Sequence, residues 1–432
     1  MTQPPLDRRT FLKGASAVAV LPLVAPAWAR PHRADALKIG VIGLGGRGTG
    51  AAIQALTADS DSVLWAVGDV FPDRLNNSLK GIESHLAEQG QTHRLQLPPE
   101  RRFLGFDAYR HVIDSGVDVV LLTAYPQFRP THMEYAVAQG KHVFAEKPIA
   151  VDAPGVRRVV AASEAARAKN LTVVSGFCWR YANAEKAAFA KLHEGVIGPV
   201  LSVHSTYHTS TLPKRPRKPE WSDMEFQLRN WWHFTWVSGD HIVEQAIHSL
   251  DRMSWAMNDE EPLRCVALGG RAAREGPEHG HAYDHFTVIY EYANGRRAFH
   301  TTRQIDNCPN DNSDYIQGTL GRGVINGFAN RQEFTAHDGT PLWSYDGPRG
   351  DMYQNEHDAL FKSIRANAAH NDGKDMCRST MLAIMGRMAA YTGATVSWKQ
   401  AWESQEDLSP PTLAFGPLPT PPIAIPGKTR LL

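Results

Sequence analysis

Chemistry first becomes visible along this chain at a glycine-rich loop, Gly43-Leu44-Gly45-Gly46-Arg47-Gly48. Gly43 and Gly45 permit a tight turn and a close approach of backbone to a pyrophosphate, and Gly48 lets the next helix pack on a sheet. The helix N-terminus adds partial positive charge and unpaired N–H groups. The context fits, because the loop follows an apolar run over 37–43 and opens a helical stretch over 49–58. A second run, 62–70, carries Asp69 near its end. A carboxylate there suits the two ribose hydroxyls of NAD and repels the extra phosphate of NADP. Arg74, close by in sequence, keeps NADP open as the alternative.

Two further patterns could act on a bound substrate. Glu146-Lys147-Pro148 ends the run 141–145, and ligands of doubly wound sheets gather at the carboxyl ends of the strands, so Lys147 is predicted to face the nicotinamide. His241, Glu244, His248 and Asp251 are spaced three, four and three apart, which on one helix over 241–257 places them along one face. Spacing alone leaves three readings, in this order. The first is a polar face turned to water. The second is acid/base chemistry, with His248 moving a proton and a carboxylate setting its pKa. The third is a metal site using the i,i+4 spacing of Glu244 and His248; no metal is expected.

The elements that must position these groups alternate in the first half. Strands are predicted over 37–43, 62–70, 117–123, 141–145 and 171–175, with helices over 49–58, 131–139 and 153–169. That alternation predicts a doubly wound parallel sheet, a Rossmann domain over 36–176. After it the pattern changes to strands over 200–209, 263–269, 285–292, 297–303 and 314–317, with a hairpin signal at Ala293-Asn294-Gly295. This predicts a second α/β domain over 177–400, built on an open, mostly antiparallel sheet. An insertion between its first two strands carries Trp221, Trp231, Trp232 and Trp236, which suit either sugar stacking or a core. Two late helices, 355–367 and 378–392, precede an arm over 401–432 that is proline-rich from Ser409.

Composition sets the outer bounds. A chain of 432 residues, 42% hydrophobic and 21% charged, has material for two globular domains. A formal net charge of +1 offers no general field for nucleic acid, and the basic run Lys214–Lys218 reads as a solvated loop. Cys178, Cys265, Cys308 and Cys377 lie far apart, which excludes a zinc ribbon or a C-x-x-C redox motif. The first residues form a targeting segment: Asp7-Arg8-Arg9-Thr10-Phe11-Leu12-Lys13 reads as a twin-arginine signal, followed by an apolar stretch and an Ala27-Trp28-Ala29 cleavage site. The apolar stretch, with Pro22 and Pro26, falls short of the roughly 20 residues a membrane span needs. Residues 1–29 are therefore expected to be removed on export to the periplasm, with no stable membrane insertion afterwards.

Together the glycine loop, Asp69, Glu146-Lys147-Pro148 and the His248 segment resemble the glucose–fructose oxidoreductase/inositol dehydrogenase (Gfo/Idh/MocA) family over roughly 36–400. The resemblance implies that Lys147 contacts the nicotinamide ribose and the reacting hydroxyl, and that His248 is the general base. It puts Glu244 where many members have aspartate, and Arg180, in Cys178-Trp179-Arg180-Tyr181, at a substrate-facing position. Tyr181 and Asp251 are counted with it as substrate residues. Leu44, Gly46, Arg47, Thr123, Tyr125 and Glu146 join the glycines, Asp69 and Lys147 as cofactor contacts. The sequence departs from the family after the third strand, where Gln127 and Arg129 stand in place of histidines. Homodimers or homotetramers are the family's habit.

Three functions follow. The first is an oxidoreductase on a hydroxyl of a sugar, polyol or glycoside, with NAD or NADP bound tightly, since no nicotinamide pool exists outside the cytoplasm. The second is an NAD-dependent, redox-neutral glycosidase that oxidises, eliminates and returns the hydride. The third is a non-catalytic, dinucleotide-holding binding protein, against which Lys147 and His248 argue.

Overall fold

Apolar runs without polar alternation need both faces covered. The N-terminal half meets this with a parallel sheet of six strands: β1 (Lys38–Ile42), β2 (Val63–Asp69), β3 (Arg102–Leu104), β4 (Val119–Leu122), β5 (His142–Ala145) and β6 (Val173–Ser175). Helices α1 (Gly46–Ala58), α2 (Pro72–Glu88), α3 (Ala108–Asp114), α4 (Arg129–Ala138) and α5 (Ala153–Ala168) connect them. The spatial order β3-β2-β1-β4-β5-β6 is doubly wound, with its switch point between β1 and β4. Val119, Val120, Leu121 and Leu122 are fully buried, each contributing about 2 kcal/mol through removal of apolar surface from water. The edge strand β3, Arg102-Phe103-Leu104, is too short and too exposed to show as an apolar run. The computed structural model describes residues 36–329 and 331–431, so the expected export signal and cleavage site lie outside the described residues.

Helix α6 (Asn183–His193) leads into the second sheet, made of β7 (Val200–Thr209), β8 (Arg264–Gly270), β9 (His285–Glu291), β10 (Arg297–Gln304), β11 (Ser313–Gly318), β12 (Gly321–Asn326), β13 (Arg331–Ala336), β14 (Pro341–Ser344) and β15 (Val396–Ser397). Its order is β14-β13-β12-β11-β7-β10-β9-β8-β15. The central β7 and β10 pair in parallel and the neighbours on either side antiparallel, so the sheet is mixed but mostly antiparallel. One face packs on helices; the other leaves Val266 and Leu268 exposed. The late strands β12 to β14 lack a sustained apolar run, and the sequence pattern passes over them.

Between β7 and β8 lie α7 (Asp223–Arg229), α8 (Thr235–Ser238), α9 (His241–Glu244) and α10 (Ile247–Ala256). The single helix expected over 241–257 is thus two. The Ala246 N–H reaches back five residues to the His241 carbonyl at 3.0 Å, a wide turn that breaks the regular ladder at Gln245. After β14 come α11 (Met352–Arg365) and α12 (Gly373–Thr392), and after the edge strand β15 comes α13 (Trp398–Glu403). Leu360 and Phe361 of α11 share a core with Leu44, Ala51 and Leu121. A helix from the 177–400 segment therefore covers the first sheet, and the boundary at 176 divides the sheets but not the layers. No described helix is long and apolar enough to cross a membrane.

Candidate active site

The predicted loop lies in a cleft of about 1050 Å³, which Asp69, Thr123, Tyr125, Glu146, Lys147, Glu244 and His248 also line. The loop is tightly packed where it meets protein. Gly43 has φ +98°, and a Cβ there would sit 2.3 Å from the Ala124 amide nitrogen; at Gly48 it would sit 1.9 Å from the Gly43 carbonyl oxygen. At Gly46 it would meet nothing within 4 Å. Bare glycine backbone thus faces the cleft at the first turn of α1, the shape and polarity a pyrophosphate requires. Asp69 braces this loop, accepting from the Leu44 N–H at 2.5 Å and the Phe71 N–H at 2.8 Å. Burial pushes its pKa up, against the pull of those two donors. The Thr123 hydroxyl donates to the Gly43 carbonyl at 2.6 Å.

Across the cleft, Lys147 Nζ donates to the Glu244 backbone carbonyl at 2.5 Å and to its Oε1 at 3.0 Å. Both side chains are about nine-tenths buried, at 12% and 8% exposure, so this charge pair is well shielded from water. Glu244 Oε2 and His248 Nδ1 are buried without a partner, and such groups carry an unmet hydrogen-bonding demand. Burial, with the positive charges of Lys147, Arg252 and Arg47, drives the His248 pKa well below its ordinary value, which leaves a neutral imidazole. The Tyr125 hydroxyl is likewise buried and unpartnered.

Several predicted contacts turn out to brace the site. The Arg47 guanidinium pairs with Glu146 and with Glu356 of α11, so two carboxylates neutralise its charge beside the loop. Glu356 is fully buried and gave no sequence signal beyond a glutamate on a helix. Arg180, Tyr181 and Asp251 do not line the cleft. Arg180 is saturated by Asp251 at 2.9 and 3.0 Å and by Asp259 at 2.8 and 3.2 Å. Asp251 also accepts from Ser379 at 2.7 Å, and Tyr181 donates to Asp372 at 2.6 Å. These three tie α10, α12 and the segment 178–181 together, away from the cleft where they were expected. His241 is also diverted, with its ring against Phe286 and its Nδ1 3.1 Å from the Tyr283 carbonyl. Of the four-residue stripe, Glu244 and His248 reach the cleft.

At the divergent segment, Gln127 donates to Ser409 of the C-terminal arm at 2.7 Å. The buried Arg129 donates to the Ala124 carbonyl at 2.7 Å and to that of Pro148, bracing the turn after Lys147. The tryptophans divide. Trp231 and Trp232 stack on each other at 5.0 Å and line the cleft, whereas Trp221 and Trp236 are core. Tyr207, Gln245 and Asn312 also line it and escaped the sequence reading. Among the described residues no group of three or more His, Cys, Asp or Glu is placed to hold a metal.

The physics that keeps His248 neutral extends to other histidines. Burial lowers His132 to about 3, His233 to about 3 and His281 to about 4, from 6.5. Their folded pKa lies below the unfolded one, so their contribution is intact above pH 6.5 and falls as the unfolded chain takes up protons below it. Each loses about 1.4 kcal/mol per pH unit, roughly 4 kcal/mol per unit for the three, as pH drops from 6.5 toward 4. Urea midpoints measured from pH 7.5 to 4.5 are expected to fall steeply below 6.5; a flat profile would contradict the burial of these rings.

A doubly wound sheet with this loop, joined to an open mixed sheet that sends Glu244 and His248 to meet Lys147, defines a two-domain, NAD-binding Rossmann protein. Residues 37–177 match the model of the oxidoreductase family with an NAD-binding Rossmann fold, and residues 186–324 match the GFO/IDH/MocA C-terminal domain. The chain belongs to the Gfo/Idh/MocA family. It is 28% identical over 264 residues to an inositol 2-dehydrogenase of Cereibacter sphaeroides, covering 60% of this chain and 65% of that one. A similar match, 28% identical, joins it to the inositol 2-dehydrogenase of Pseudomonas fluorescens, over 60% of this chain and 66% of that one. The chain thus spans about two thirds of these relatives' length. Its fold is shared with an aldose-aldose oxidoreductase from Caulobacter crescentus (20% identity, TM-score 0.63, 84% of this chain and 99% of that one). It is shared equally with a levoglucosan dehydrogenase solved with NADH and levoglucosan (18%, TM-score 0.64, 84% and 99%).

Proposed function

We propose that this protein is an NAD-dependent oxidoreductase acting on a hydroxyl of a sugar, polyol or glycoside. The observation that carries the reading is the Lys147 ammonium, fixed by Glu244 in the same cleft as the glycine loop and a neutral His248. An ammonium has three N–H groups; two serve Glu244, and the third donates to the substrate hydroxyl oxygen, making that hydroxyl more acidic. His248, uncharged and lining the cleft, accepts the proton. Bound nicotinamide supplies the acceptor for the hydride leaving the same carbon. The sugar- and inositol-oxidising names of the relatives support this substrate class.

A second reading, the redox-neutral glycosidase, draws on one observation. A further compartment of about 320 Å³ adjoins the cleft, with Trp179, Arg349, Met352 and Tyr353 lining both. Such an annex has room for a group attached to the reacting sugar. Twin-arginine export to the periplasm and a captive, tightly held cofactor belong to either reading. One assay separates them: the full-length protein, stripped of nucleotide and given NAD, is offered free sugars, polyols and aryl glycosides. Net reduction by a free sugar or polyol supports the dehydrogenase; aglycone release without net reduction supports the glycosidase. Nucleotide binding with neither reaction would return the chain to a dinucleotide-holding binding protein.

The uncovered sheet face is assigned to a second copy of the chain, as a homodimer or homotetramer. Val266, Leu268 and Tyr315 are exposed on it, Leu268 by 77%, and isolated monomers rarely leave such patches bare. Leu268→Lys is expected to shift the mass measured by light scattering toward the monomer, while far-ultraviolet circular dichroism stays unchanged; an unchanged mass would refute this face as the contact.

A further inference from the structure

The adenosine end of the dinucleotide site is closed by chain that lies far from the Rossmann fold in sequence. In a doubly wound sheet that end runs past the carboxylate at the tip of the second strand, here Asp69 on β2. Helix α7 sits across it. Arg229 donates to both oxygens of Asp73, in the first turn of α2, at 3.1 Å, and its guanidinium lies 4.2 Å from the centre of the Phe71 ring. The C-terminal arm pins α7 in turn. The Met224 N–H donates to the Gly416 carbonyl at 3.2 Å, the Leu418 N–H to Asp223 at 3.0 Å, and the Gln227 amide to the Leu418 carbonyl at 2.6 Å. Within this anchored stretch Phe415 packs on Phe71 and on Phe106, with ring centres 5.8 and 5.3 Å apart, and Phe106 lines the cleft.

Two cations point to what this closure holds. Arg74 Nη1 lies 3.9 Å from where a Gly45 Cβ would be, directly over the bare side of the loop. Arg215, from the segment before α7, lines the same cleft. Both are close enough to Tyr125 to act on its buried hydroxyl. Among the described residues neither guanidinium donates a hydrogen bond to the protein; the bond that Arg215 donates, to Asn230, comes from its backbone N–H. Guanidinium groups left without protein acceptors beside a helix N-terminus match the charge and the planar, bidentate geometry of a diphosphate.

We propose that the segment from Arg215 through α7, together with the arm around Phe415, forms the second half of the dinucleotide site. Arg74 and Arg215 bind the adenosine diphosphate half of the cofactor, and Phe415 holds the wall against which it lies, so that the cofactor leaves slowly between turnovers. The inference rests on the cleft binding NAD and extends the site to residues outside the Rossmann domain. Preorganised closure of this kind acts on the dissociation rate.

The test is NADH release from the full-length protein by stopped-flow fluorescence, with equilibrium binding of ADP-ribose and of nicotinamide mononucleotide alongside. Phe415 is 48% exposed, so Phe415→Ala leaves the core intact; it is expected to speed NADH release about tenfold with an unchanged melting temperature. Arg215→Ala and Arg74→Ala are expected to weaken ADP-ribose about tenfold and leave nicotinamide mononucleotide unaffected. Wild-type release rates and ADP-ribose affinities in all three variants would overturn the proposal. A wild-type protein that binds neither NADH nor ADP-ribose would overturn the cofactor site itself, and the proposal with it.

Discussion

Lys147→Ala is expected to lower kcat by about three orders of magnitude while leaving NADH affinity within a few-fold of wild type. The ammonium has no part in building the glycine loop, which is held by Asp69 and Thr123. What the substitution removes is the donor to the reacting oxygen. It also strands Glu244, whose carboxylate is 8% exposed and already has one unpartnered oxygen. A buried carboxylate without its cation is costly. Glu244→Gln should therefore act in the same direction more mildly, because the backbone carbonyl of residue 244 still holds the lysine. Steady-state kinetics and a nucleotide titration on the same preparation decide the matter. A variant keeping a tenth or more of the wild-type kcat would remove Lys147 from the chemistry, and joint loss of binding and fold would make it structural.

The second large effect lies in the loop. Gly48→Ala places a Cβ 1.9 Å from the Gly43 carbonyl oxygen and 2.9 Å from the Thr123 hydroxyl, both part of the packed side of the turn. Backbone cannot give way as a flexible side chain does, so a cost of about 3 kcal/mol or more is expected, with NADH affinity lowered at least a hundredfold. Gly46→Ala is the control. Nothing lies within 4 Å of its Cβ, so stability should be preserved while the methyl group intrudes on the ligand's side alone. Melting temperature and NADH affinity, read together, separate the two. Equal loss of stability in both variants would refute the packed-and-bare description of the loop.

Much of the site was legible because it is local. A strand, a glycine turn and a helix N-terminus occupy consecutive residues, so the pattern 37–58 and the carboxylate of Asp69 carry their meaning without the rest of the fold. The same is true of Lys147 at the end of β5. The stripe from His241 to Asp251 was legible only in part. Its spacing presumes an unbroken helix, and the wide turn at Gln245 sends Glu244 and His248 to the cleft while His241 and Asp251 turn into protein.

By itself the sequence determined the doubly wound sheet, the place of the dinucleotide loop and the identity of the lysine beside it. Short-range spacing and burial periodicity dictate these, and the family shares them. Only the tertiary structure decided which polar residues are used and which are merely satisfied. Arg180 and Asp251 look like substrate groups until their charges are seen to be consumed by one another and by Asp259. Arg47 looks like a phosphate ligand until Glu356, more than three hundred residues later, closes on it. A charged side chain's role depends on whether its partner is protein or ligand. That partner is chosen by long-range packing, which no local pattern of residues encodes.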